Sequence, residues 1–260
     1  MIKLSQCVFL FVGLLVTSAF AVEDKLGFEI AARADWSKLG FSSRRVYVHS
    51  ILSDTKGRTH ERTLVLKTFE RENEQQGDRT LIIFHTPADL SRTALLSHAQ
   101  LLDDDNQWLF LKRLRRVKRI SGANKSGAFV GTEFSFEDLT AQELHKFTYE
   151  WIRADKLDGA DVDVIRRFPR YRRSAYSQQH VWFSREHGQP LRIDSFAKNG
   201  AARKRLILRK YKKVSGFWRA HYLHMENLQT KKTTALEFSN YEIDVGYSTR
   251  DFERSVFDGM

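Results

Sequence analysis

The stretch ALLSHAQLLDDDNQWLFL, residues 94–111, sets two apolar runs on either side of an acidic turn. Ala94-Leu95-Leu96 and Trp108-Leu109-Phe110-Leu111 are short and strand-like, and Asp103-Asp104-Asp105-Asn106 between them is turn chemistry. The pair predicts an antiparallel hairpin with a solvated turn. In the second run Trp108 and Phe110 point to one face while Leu109 and Leu111 point to the other. A sheet with one wet face alternates apolar and polar residues more cleanly. Bulky residues on both faces suit a curved sheet packed by helices on one side or enclosing an apolar cavity, with an ordinary double-sided core as the plainer alternative.

The same pattern extends in both directions. Upstream lie Val46-Tyr47-Val48, Leu64-Val65-Leu66 and Leu81-Ile82-Ile83-Phe84, with Lys56-Gly57 as a turn. Downstream, Phe147, Tyr149 and Trp151 are spaced two apart on one strand face, and Asp158-Gly159 follows as a turn. Further strands are predicted over 162–165, 180–184, 191–196, 206–211, 217–225 and 233–243. Spacing of this kind indicates a mainly β (α+β) chain, not alternating β and α units. Helical segments are predicted at Leu26–Leu39, Phe136–Leu144 and Thr249–Phe257. No Pro/Ser/Gly-rich linker interrupts the chain, so residues 22–260 read as one domain.

The composition supports a folded chain: 260 residues, 42% hydrophobic, 12% aromatic and three prolines. Residues 1–21 read as a signal peptide. Lys3 gives a positive start, Cys7 to Leu15 an apolar core, and Ala19-Phe20-Ala21 a small-x-small site with cleavage after Ala21. Cys7 lies inside the apolar run, which argues against lipidation, and it is the sole cysteine. Cleavage removes it, so the exported domain is held by core burial without a disulfide. The product is expected to be soluble and exported.

Catalytic constellations are wanting. There is no Gly-x-Ser-x-Gly elbow, no His-Glu-x-x-His and no cysteine beyond Cys7. His221 and His224 sit on a probable strand and point to opposite faces, so they do not share a metal. Glu137-Asp138 opens a short predicted helix, where carboxylates favour the positive dipole end. The reading is of a protein that is not an enzyme and uses neither cofactor nor metal.

The formal charge is +11, and six of the eight residues from Lys112 to Arg119 are basic. Nucleic acid is an unsuitable partner for an exported chain. Two readings of Arg113, Arg115, Arg116, Lys118 and Arg119 stay open. One is a solvated edge whose charges discourage pairing. The other is docking to an acidic protein surface or to anionic headgroups.

Gln107-Trp108-Leu109-Phe110-Leu111, the run Arg116-Val117-Lys118-Arg119-Ile120, and Gly127-Ala128-Phe129-Val130-Gly131-Thr132-Glu133-Phe134-Ser135-Phe136-Glu137-Asp138-Leu139 together resemble the signature of the LolA-like outer membrane lipoprotein-sorting family. The similarity continues through Leu157-Asp158-Gly159, Tyr176 to Trp182, Trp218-Arg219, Met225 and Asp251-Phe252. One departure is Lys112, where relatives carry a proline shortly after the Trp-Leu-(Tyr/Phe) segment. The resemblance implies a half-open antiparallel β-barrel of about ten strands around a few helices, LolA/LolB-like. It also implies a periplasmic carrier or accessory protein for lipids or acylated lipoproteins, acting with an RND-type exporter, and a monomer. On that reading Trp108, Phe110, Phe129, Phe134, Phe136, Tyr149 and Trp151 are candidates for lining a lipid cavity. The competing reading is an interaction module that docks on an envelope transporter complex without carrying lipid.

Overall fold

The computed structural model describes residues 24–70, 77–140 and 143–260. The signal peptide expected over residues 1–21 and its cleavage site lie outside the described residues. Six strands form a first antiparallel meander: β1 (Ser43–Ser53), β2 (Thr59–Phe69), β3 (Arg79–Thr86), β4 (Ala94–His98), β5 (Asn106–Leu111) and β6 (Arg116–Ile120). A second meander runs through β7 (Phe147–Leu157), β8 (Ala160–Pro169), β9 (Tyr176–Ser184) and β10 (Pro190–Ala197). It ends with β11 (Ala202–Val214), β12 (Phe217–Asn227) and β13 (Thr233–Ile243). β13 pairs with β1, which fuses the two into one sheet of order β6-β5-β4-β3-β2-β1-β13-β12-β11-β10-β9-β8-β7.

Local sequence explains several corners. Asp158 and Gly159 have φ of 49° and 86°, the two positive angles of the tight hairpin turn whose twist matches its strands. Ser215 and Gly216, at 48° and 87°, repeat it between β11 and β12. The one α-helix among the described residues, α1 (Lys25–Trp36), starts at Asp24, whose side chain accepts from Leu26 N–H at 3.0 Å.

The sheet curls around that helix. β2 and β9 are six places apart in the strand order, about 29 Å in a flat sheet at ~4.8 Å per strand. Yet Asp35 and Lys38, at the end of α1, line one cavity with Leu66 and Thr68 of β2 and another with Val181 and Phe183 of β9. Only a strongly curved sheet brings those strands to one lysine. Closure does not follow, because the outer strands β6 and β7 do not pair with each other. The barrel of about ten strands expected from the resemblance is therefore corrected to an unclosed sheet of thirteen. β6 escaped the strand count because its basic side chains mask its period.

Three covers account for the two-sided apolarity. α1 packs on β7–β10 through Ile30, Ala31 and Ala34 against Phe147, Tyr149, Ile165 and Val181. The connection from β6 to β7, residues 121–146, lays Phe129 and Phe136 on Val46, Val48, Leu64, Ile82, Phe84, Leu95 and Leu109. On the opposite face the C-terminal segment seats Phe252 and Phe257 against Phe69, Leu81, Ala94, Leu96 and Phe110. The helices expected at Phe136–Leu144 and Thr249–Phe257 are instead short 3₁₀ turns at Glu137–Leu139, Leu144–Lys146, Thr249–Phe252 and Arg254–Phe257. Such segments are held by what they cover, since short isolated helices are marginal by themselves.

The β7 edge is covered by the start of α1. Asp24 N–H donates to Tyr149 O at 3.2 Å, and Trp151 N–H donates to the Asp24 carboxylate at 2.7 Å. Gly27 makes that approach possible: a Cβ there would meet Trp151 N at 2.8 Å and the Glu150 carbonyl carbon at 2.9 Å. Both atoms are backbone, so the helix itself must move. Gly27→Ala is expected to destabilise the fold by about 1–3 kcal/mol, despite alanine's better helix propensity. Urea unfolding checks this; a midpoint at or above wild type would show that α1 shifts freely.

Candidate functional site

Strand register shows that α1 and the 121–146 connection lie on the same face of the sheet. Ile193 of β10 packs with the α1 cluster and pairs with Leu206 of β11. Leu206 pairs with Met225 of β12, and Met225 with Thr234 of β13. Leu236 and Phe238, two and four residues on, share Thr234's face and pack with the Phe129–Phe136 cluster. Between the two covers lies the inner surface of β11–β13. Leu206, Leu208, Leu223, Leu236 and Phe238 project from it, and all five stay half-buried. Ordinary strands seal such residues under a second layer. Here the covers flank a floor that remains partly open.

One end of this floor is polar and basic. Phe41 is held between the guanidinium groups of Arg44 and Arg219, 5.4 and 5.3 Å from its ring centre. Arg219 also lies 5.0 Å from the Phe217 ring centre, and its Nε is buried without a hydrogen-bond partner among the described residues. Tyr241 lies tilted against His221 at 4.9 Å between ring centres and donates to Ala220 O at 2.7 Å. Burial lowers the pKa of Lys38, Arg44 and Arg167, and brings Arg219 down to about 10 with help from the neighbouring Arg44. The same burial pushes Tyr241 up to about 12. A cavity of about 250 Å³ opens here. Lys38, Arg44, Thr68, Thr80 and Thr140 form part of its wall, with Asp35, Asp78 and Glu143. Leu39, Leu66, Ile82 and Leu139 give the rest an apolar surface. The inner face thus carries a half-buried apolar strip and, separately lined, a recess with charged and apolar walls.

The seven aromatic candidates do not converge. Trp108 and Phe110 lie on the outer face, where Phe110 stacks on Phe257 at 5.4 Å and Trp108 meets His98 edge-on at 5.0 Å. Phe129 and Phe136 contact each other edge-to-face at 5.7 Å on the inner face. Phe134 is buried nearby in the same connection, its carbonyl accepting from Phe129 N–H at 2.8 Å. Tyr149 and Trp151 pack against α1. Inner-face candidates thus form walls beside the floor, and the outer pair belongs to a separate core. The floor residues themselves carry no signal beyond ordinary strand alternation.

Two polar readings are corrected. The acidic turn is not simply solvated: Asp105 is buried and ion-paired with Lys146, while Lys125 lies 3.6 Å from Asp104. Glu137 is not an exposed dipole partner either. It is buried, accepting from Tyr171 Oη at 2.7 Å, Ser174 Oγ at 2.5 Å and Ala175 N–H at 2.8 Å. Asp138 accepts from Tyr176 Oη at 2.7 Å and Lys204 Nζ at 2.8 Å. These carboxylates pin the connection across the inner face to β9 and β11. His221 lies tilted against Tyr241 while His224 stacks on Tyr222, in keeping with opposite faces. Among the described residues no three His, Asp or Glu side chains gather as a metal site. No helix among them is long and apolar enough to cross a membrane.

The architecture has close counterparts. An outer membrane lipoprotein-sorting protein domain from Vibrio parahaemolyticus shares 36% identity and superposes with a TM-score of 0.86, covering 89% of this chain and 98% of that one. This chain belongs to the LolA-like lipoprotein-sorting family. A family model described only as an uncharacterized protein matches residues 76–258. A DUF1329 family protein from Desulfovibrio piger is 25% identical with a TM-score of 0.85, covering 90% of this chain and 98% of that one. A LolA superfamily protein from Nitrosomonas europaea shares the fold at 16% identity and a TM-score of 0.70, over 88% of this chain and 97% of that one. No curated protein matches the sequence.

Proposed function

We propose that the protein is a non-enzymatic periplasmic carrier that shelters the acyl chain of a lipid or lipoprotein. The observation that carries the reading is the half-buried floor of Leu206, Leu208, Leu223, Leu236 and Phe238 between two covers, on the face of the sheet that also holds a cavity of about 250 Å³. An acyl chain in water seeks cover at roughly 0.8 kcal/mol per methylene buried, and an unsealed apolar strip supplies it without covalent chemistry. Phe129, Phe136, Tyr149 and Trp151 support this as flanking walls. Lys38 and Arg44 at the recess suit the polar end of such a guest. The family's name for the Vibrio relative, lipoprotein sorting, agrees with that chemistry. An RND-type exporter as the membrane partner, and a monomeric carrier, complete the proposal.

Mass spectrometry of organic extracts from gently purified protein tests it. Acylated molecules are expected at near-stoichiometric yield. Extracts of correctly folded protein free of any acyl species, before and after incubation with envelope lipid, would overturn the carrier.

A further inference from the structure

The turn between β5 and β6 combines two features that the carrier reading does not use. Residues 112–115 form it, with a 3₁₀ turn at Lys112–Leu114 and Arg115 in the left-handed region at φ 46°. Arg115 N–H donates to Lys112 O at 3.1 Å, and the Lys112 amine is anchored on Met260 O. Leu114, at the apex, is 68% exposed, the most exposed large apolar side chain among the described residues. Around it Arg113, Arg115, Arg116 and Lys118 are all exposed. Arg119 is exposed too and donates to Asn106 at 2.9 Å. The one carboxylate in the adjoining hollow of about 420 Å³ is Asp89, beside Leu90, Thr93 and Leu111.

We propose that this hairpin tip docks the protein on an anionic lipid surface, with Leu114 entering the headgroup region and the surrounding cations meeting phosphates. Cations near an anionic leaflet are attracted individually, and an apolar apex among them gains cover that water denies it. A convex tip suits a deformable headgroup layer better than it suits another folded protein, which would bury little area against it. Register turns Arg116 and Lys118 to the side of Leu109 and Leu111, the face on which the floor lies. Docking therefore sets the open side of the sheet near the membrane. The inference concerns the outside of the molecule and does not depend on what the floor carries.

Vesicle co-sedimentation of the full protein tests it. Binding to vesicles of mixed phosphatidylglycerol and phosphatidylcholine is expected to exceed binding to pure phosphatidylcholine at least tenfold, and to weaken as salt rises. Arg113→Glu with Arg115→Glu reduces that binding at least tenfold, and Leu114→Asp reduces it about tenfold, since one apolar anchor is lost. All three positions are exposed, so thermal melts stay at the wild-type value. Lys212→Glu with Lys213→Glu, exposed cations by the β11–β12 turn at the other end of the strands, leave vesicle binding unchanged. The acyl content of the purified tip variants, expected at the wild-type level, separates this result from the fate of the carrier proposal. Equal binding to neutral vesicles, or tip variants that bind like wild type, would sink the idea. So would indifference to vesicles combined with saturable, salt-sensitive binding of a polyglutamate peptide, which would assign the tip to an acidic protein.

Discussion

Phe252→Ala lowers stability by about 3–5 kcal/mol, and deletion of residues 249–260 leaves the chain aggregated. Among the described residues, the C-terminal segment supplies the cover of the outer face of β2–β5. Phe252 is fully buried, 5.9 Å from Phe69 and edge-on to Tyr247 at the same distance. Phe257 stacks on Phe110, and His98 donates through Nε2 to Phe252 O at 2.6 Å. Arg79 adds an ion pair with Glu253 at 2.8 Å. Remove the segment, and Phe69, Leu81, Ala94, Leu96 and Phe110 form one exposed apolar patch beside the β6 edge. Patches and open edges of that kind drive association. Domains are typically stable by only 5–15 kcal/mol, so a loss of this size is a large fraction of the total. Guanidinium unfolding of the point variant and size-exclusion chromatography of the truncation provide the check. A monodisperse truncation with a wild-type midpoint would show that the outer face tolerates water.

The two-sided apolarity of residues 108–111 was legible in the sequence, and it suited a curved, covered sheet. What it did not disclose was the cover's identity. Phe252 and Phe257 lie about 140 residues downstream, in turns too short to show a helical period. The carboxylates went unread for the same reason. Glu137 finds Tyr171 and Ser174 more than thirty residues away, and Asp105 finds Lys146 at a separation of 41. Local rules offer a turn or a helix start for such residues, because their true partners are set only by the folded sheet. Resemblance reached further than periodicity. The 107–139 segment carried the family, and with it a half-open antiparallel barrel around a few helices, of which the described residues keep an unclosed sheet and one α-helix. The aromatic residues in that segment attracted attention as cavity lining because they are bulky. Yet bulk favours the sealed cores they occupy, while the open floor is built from strand residues of ordinary appearance.

That contrast yields a sharp expectation for the floor. Phe238→Asp or Leu223→Asp abolishes co-purifying acyl species, whereas Phe238→Leu retains them. Phe238 packs beside the Phe129–Phe136 cluster and Leu223 lies across the floor from Leu236, but both side chains are only half-buried, so a carboxylate there keeps part of its hydration in the empty protein. The expected stability cost is accordingly modest, about 1–2 kcal/mol. Once a hydrocarbon chain lies over the floor, the same carboxylate must lose its water without a compensating hydrogen bond, and the guest is rejected. Trp108→Asp provides the opposite control. It disrupts the outer core under the C-terminal segment, so it unfolds the chain without discriminating for or against lipid. Paired measurements on each variant, melting temperature and lipid content per mole of protein, separate the two outcomes. Wild-type lipid content in Phe238→Asp would move the guest away from β11–β13 and leave the floor as an ordinary wetted strand face.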